Sequence, residues 1–76
     1  MSDPQFFEIS LFVALGGGFD AVDVEDGLPK LDHFKTIAEV LRYLAQRGVD
    51  PDNVIRAGKQ LTLGNSALVL GTRRKD

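Results

Sequence analysis

The chain has 76 residues, a formal net charge of −2, 43% hydrophobic residues and no cysteine. This length supports one small domain with an economical core. The composition excludes a disulfide framework, thiolate catalysis and a sulfur-ligated zinc site. The longest apolar stretch, Phe6 to Leu15, is interrupted by Glu8 and Ser10 and falls short of the roughly 20 residues that span a bilayer, while Ser2-Asp3-Pro4 puts an acid where a secretory signal needs bases. These features lead us to expect a soluble, unprocessed, cytoplasmic protein with no membrane partner.

From Phe7 to Leu15, apolar Phe7, Ile9, Leu11, Val13 and Leu15 alternate with Glu8, Ser10, Phe12 and Ala14, the period of two that suits a strand. A helix begun at Asp3-Pro4 and stopped at Gly16 is the competing reading for residues 5–15, but its apolar side chains would surround the axis without forming a stripe. Gly16-Gly17-Gly18 predicts a turn, and Phe19 to Val24 a second short strand with Val22 and Val24 on one side, ended by Asp26-Gly27 and Pro29. Asp32 is the expected cap of a main helix from His33 to about Arg47, whose stripe is Phe34, Ile37, Ala38, Leu41, Leu44 and Ala45. Gly48 closes it, with Val49 packing back on the last turn. Asp50-Pro51 then opens a short helix through Val54, Ile55 and Ala57 to Gly58. Leu61, Leu63 and Ala67 to Leu70 read as strand, with Gly64-Asn65 as a turn or bulge. Residues 72–76 read as a loose basic tail.

The predicted fold class is therefore α+β, with a small antiparallel sheet in the order β-β-α-α-β or β-β-α-α-β-β packed on one main amphipathic helix. Its expected core is Phe7, Ile9, Leu11, Val13, Phe34, Ile37, Leu41, Leu44, Leu61, Leu63, Leu68 and Leu70. Leu41→Ala is expected to cost about 2 to 5 kcal/mol.

Charge is divided along the chain. Seven acids and one base lie through Asp32, and eight bases against four acids follow from His33. The division favours folding the halves against one another, or showing an acidic and a basic face to different partners.

Few motifs carry chemistry. Gly16-x-Gly18-x-x-Ala21 has part of a dinucleotide-binding pattern, but the Asp26-Gly27-Leu28-Pro29 breaker leaves no room for the long helix that pattern needs. Asp20, Asp23, Glu25 and Asp26 form an acidic loop whose register rejects an EF-hand, because Val22 and Val24 stand where acids belong. The single histidine, His33, is expected at a helix start with no partner to make it a catalytic base. No catalytic residue, metal ligand, cofactor or cofactor-binding residue is nominated.

A helix, the Gly48 turn and a second helix loosely suggest a DNA-reading unit, but Asp50-Pro51-Asp52 sets acids where phosphates would approach. Ile9 to Phe19, running through Ala14-Leu15-Gly16-Gly17-Gly18, resembles the segment near the carboxyl end of outer-membrane channel subunits of tripartite efflux pumps, with Phe19 where tryptophan usually stands. Spanning about a seventh of the chain, that resemblance implies a helix before Gly16 and carries over no functional residue. The long helices and barrel strands of that family have no room in 76 residues.

The function expected from these readings is a small non-enzymatic protein-interaction module that binds another protein or a second copy of itself. Its candidate partner-binding residues are Arg42, Tyr43, Arg56, Lys59, Arg73, Arg74 and Lys75. Exposed strand edges at Phe7 to Leu15 or Ala67 to Leu70 offer a second route. The alternative is a nucleic-acid-associated regulator using the basic carboxyl-terminal half.

Overall fold

The computed structural model describes residues 5–25 and 27–73. They form β1 (Gln5–Val13), β2 (Phe19–Glu25), β3 (Leu28–Phe34), α1 (Ile37–Gln46), α2 (Pro51–Thr62) and β4 (Ala67–Arg73). The expected α+β architecture is present, with three strands before the helices instead of two and a single strand after them. A four-stranded antiparallel sheet in the order β3-β2-β1-β4 carries both helices on one face. No helix among the described residues is long and apolar enough to cross a membrane.

The alternation in β1 holds. Phe7, Ile9 and Leu11 are buried toward the helices, whereas Glu8 and Phe12 face outward and are exposed. Val13, expected in the core, sits at the strand end and is 43% exposed. The glycine run is the expected turn between β1 and β2, with Ala14 N–H donating to the Gly18 carbonyl at 3.0 Å. Gly18 has φ 77° and lies so close to the Phe34 carbonyl that a β-carbon would collide with it, so this position admits only glycine.

Residues 28–34 correct the sequence reading: they form a strand, not a terminator followed by a helix start. Glu25 pairs with Leu28, so the two residues Asp26-Gly27 connect β2 to β3, a spacing that the Asp-Gly dipeptide favours. Pro29 is tolerated because β3 is an edge strand, where a missing N–H breaks no central ladder.

Helix α1 accordingly starts four residues later than expected, at Ile37, capped by Thr36 and not by Asp32. The Thr36 hydroxyl accepts from Glu39 N–H at 3.3 Å, and the Glu39 carboxylate accepts from Lys35 N–H at 3.2 Å. Its buried side also differs. Val40 and Leu44 are fully buried, Ile37, Leu41 and Tyr43 are half-buried, and Ala38 and Ala45 are exposed. The helix is turned so that Val40 meets the sheet while Leu41 meets α2.

The end of α1 follows expectation. Gly48 has φ 83°, and Val49 N–H returns to the Leu44 carbonyl at 3.1 Å, with Val49 buried against the core. Asp50 caps α2 by accepting from Asp52 N–H at 2.9 Å. However, α2 continues a full turn past Gly58, and this places Leu61 in the helix with 2% exposure. A mid-helix glycine costs about 1 kcal/mol in propensity, but a β-carbon there would lie 2.9 Å from Leu41 Cδ2, so the glycine lets the two helices approach. Gly64-Asn65 is thus the carboxyl cap of α2, with Asn65 N–H bonded to the Gln60 carbonyl at 2.9 Å, and neither a hairpin turn nor a bulge.

In β4 the inward residue is Val69, 4% exposed, while Leu68 and Leu70 point out of the other face at 59% and 61% exposure. Leu63, just past α2, is exposed as well. These three leucines were expected in the core. Thr72 and Arg73 belong to β4 by their backbone pairing and not to a loose tail, whereas residues 74–76 lie outside the described residues.

Phe7 fixes the centre of the sheet. It pairs across the strands with Gly71, and its ring lies over that glycine, where any β-carbon would strike it. Gly71→Ala should therefore cost about 1 to 3 kcal/mol through overpacking. The large cost expected of Leu41→Ala belongs instead to Leu44→Ala, at about 2 to 5 kcal/mol, with half-buried Leu41 costing less. Urea melts of the three variants check both statements, and a Leu41→Ala loss equal to that of Leu44→Ala would contradict the orientation of α1.

Candidate functional site

Two short helices cover one side of the sheet, and the other side has no covering layer among the described residues. Strand alternation and the cross-strand register set out this face in rows: His33, Asp20 and Phe12, then Leu31, Val22, Ser10 and Leu68, then Pro29, Val24, Glu8 and Leu70. Val22 and Val24 share this outer side, as the pattern of β2 predicts. Phe12, Leu31, Leu68 and Leu70 are large and exposed. Together with Val22, Val24 and Pro29 they line the outer face with apolar side chains, the kind of surface that interaction sites use. Ser10 runs through its middle, and Glu8 and Asp20 supply the acids.

The acidic cluster of the sequence is divided by the same alternation. Asp20 lies on the outer face, where its Oδ1 is 2.7 Å from His33 Nδ1. His33 is therefore in β3 and not at a helix start. The acid that orients it comes from β2, thirteen positions away. The pair is exposed, at 52% and 37%, near the Gly18 turn and on the opposite side of the sheet from the cavities beside the helices. The pair joins the ends of β2 and β3 on the outer face.

Asp23 points the other way and is the buried acid among the described residues, 3% exposed. One of its oxygens meets Arg47 Nη2 at 2.5 Å and accepts from the Tyr43 hydroxyl at 3.3 Å, while its Oδ1 is buried with no hydrogen-bond partner. The Arg47 guanidinium lies 5.6 Å from the Phe7 ring centroid, and Tyr43 packs on Phe34 at 5.1 Å between centroids. Burial, then the neighbouring Asp23 carboxylate, pushes the Tyr43 pKa from 10 to about 12, partly opposed by Arg47. This cluster ties the end of α1 to β2.

Among the described residues, the side chains nominated from sequence border three separate cavities. Arg42 and Tyr43 flank a small cavity of about 230 Å³ with Phe34, Glu39 and Gln46, on the β3 side of α1. Arg56 lines a groove of about 420 Å³ between α2 and β4. Lys59 lies one turn further along α2 and borders an apolar groove of about 540 Å³ against Ile37, Leu41, Ile55 and Leu63 of the helix pair. Arg73 ends β4 by its backbone, and Arg74 and Lys75 lie outside the described residues. The apolar outer face was missed because Leu68 and Leu70 were assigned to the core. The available signal was Ala67-Leu68-Val69-Leu70, a run without alternation that makes both faces of β4 apolar.

The protein has one tyrosine and no tryptophan, so its ultraviolet phenolate band reports Tyr43 alone. The titration midpoint is expected near 12, and Asp23→Asn should move it back toward 10. The folded pKa is raised, so the contribution of Tyr43 to stability is complete below pH 10 and is lost as pH climbs toward 12. A wild-type midpoint at 10 in the folded protein would contradict the Tyr43–Asp23 contact.

The chain matches no protein-family model, no curated protein and no solved structure.

Proposed function

We propose that this chain is a small non-enzymatic protein-interaction module, an accessory, regulatory or inhibitory factor that lays the open face of its sheet on a partner protein. The uncovered apolar surface of Phe12, Val22, Leu31, Leu68 and Leu70 carries the reading, because a side chain the size of leucine left in water forgoes about 1.5 to 3 kcal/mol that burial would recover. Glu8 and Asp20 within that surface favour a partner that is apolar with one or two cations at its rim. The cysteine-free chain suits a reducing cytoplasm, which is where this reading puts it.

The alternative, a nucleic-acid-associated regulator, draws on Arg56 and Lys59 one turn apart on α2. Asp52 stands one turn before Arg56, and Arg42 lies across the helix pair, so these cations do not make one continuous stripe.

Affinity capture from the native host with the wild type, Leu31→Glu and Ala45→Glu tests the proposal. Both substitutions fall on exposed positions and should leave the fold intact. The specific partner should be lost with Leu31→Glu and kept with Ala45→Glu on the helix side. Capture that survives Leu31→Glu, or binding to short duplex nucleic acid that weakens steeply with salt, would overturn the proposal.

A further inference from the structure

The two edges of the sheet are built differently. Edge strand β3 carries Pro29 and Lys30, and it turns Lys30 and Asp32 to the helix side, devices that stop another strand from adding. Edge strand β4 has none of them from Ala67 to Gly71, an uncharged run of Ala-Leu-Val-Leu-Gly whose alternate residues turn unpaired N–H and C=O groups outward. We propose that this edge pairs antiparallel with β4 of a second copy across a two-fold axis, giving one eight-stranded sheet with the two α2 helices side by side over the seam.

The placement of α2 favours a copy of the chain over a lone peptide. Helix α2 packs on both β1 and β4, and an axis midway between these strands would lie about half a strand spacing inside the edge. With strands about 4.8 Å apart, a two-fold at the seam sets the α2 axes about 10 Å from one another, at the upper end of close helix packing. The groove of about 420 Å³ between α2 and β4 is then half of a site that the other helix fills. A single added strand would leave that helix position empty.

The side chains agree with this arrangement. Centring the two-fold at Val69 places Leu68 opposite Leu70 of the second copy and Leu70 opposite its Leu68, so four exposed leucines form a ladder on the outer face. On the groove side, Asn53 and Gln60 straddle Arg56, and antiparallel helices set each Asn53 near Gln60 of the other copy. Amides donate and accept, so the same surface complements itself. Arg56 falls nearest the axis and is exposed, which leaves its guanidinium in water facing its counterpart. That repulsion is screened by salt. One strand and one helix side per copy would make a small interface, at the low end for stable complexes, which fits micromolar association.

This pairing draws Leu68 and Leu70 into the seam and leaves Phe12, Val22 and Leu31 of the open face free. Light scattering and sedimentation of the full chain from low micromolar to submillimolar concentration should show a monomer passing to a dimer that tightens as sodium chloride is raised. Leu68→Lys with Leu70→Lys should weaken the dimer by about tenfold or more through like charges set opposite one another. Arg56→Gln should tighten it at low salt, and Leu31→Glu should leave it unchanged. Amide exchange should slow within Ala67–Gly71 as concentration rises. A monomer at every concentration, a dimer indifferent to the double lysine variant, or one abolished by Leu31→Glu would overturn the proposal. The last of these results would place self-association on the open face. Loss of partner capture by Leu31→Glu without any dimer would leave the partner-docking reading standing alone.

Discussion

Ten and twelve residues of helix can roof only one side of a four-stranded sheet, and this limit organises the rest of the molecule. The covered side receives Phe7, Ile9, Leu11, Ala21, Val40, Leu44, Val49, Ala57, Leu61 and Val69 as a continuous core. To bring two helices onto so small a sheet, the chain uses glycine at two contacts. Gly58 lets α2 approach Leu41, and Gly71 makes room for the Phe7 ring. The uncovered side is left with leucines in water, and the functional reading follows from that imbalance.

The charge division in the sequence becomes physical at one point inside the covered side. Asp23 from the acidic half meets Arg47 from the basic half, with Phe7 under the guanidinium and Tyr43 donating to the same carboxylate. Burying such a pair recovers little net stability, because both ions lose their water. Its effect is on position. Removing Arg47 leaves the buried Asp23 carboxylate with only the Tyr43 hydroxyl, so the end of α1 is held over β2 more strictly than an apolar contact would hold it. The second acid–base contact across the halves, Asp20 to His33, lies in water and binds only the rim.

Much of the fold was legible where one local signal acted alone. The period of two in β1, the glycine turn, the Gly48 cap with Val49, and the Asp50-Pro51 start of α2 all reflect backbone preferences that tertiary packing did not contest. The errors came where signals competed. An Asp-Gly dipeptide reads both as a breaker and as a hairpin signal. Asp32 and Thr36 are both possible helix caps, and only Thr36 has a glutamate three positions on to complete a capping box. Gly58 looked like a helix stop because its packing partner, Leu41, is seventeen residues away. The candidate site was the least legible part. A strand that is apolar on both sides does not announce which side is roofed, and the nominated cations were chosen by charge without knowledge of how the helices would separate them.

The guarded outer strand has a consequence for how far assembly can go. A sheet exposed at both borders can recruit copy after copy into a fibril, whereas here proline and charges close one border for good. In the proposed pairing, the second copy presents its own guarded β3 as the new border, so growth would end after a single addition. A seam of that kind would not seed polymerisation.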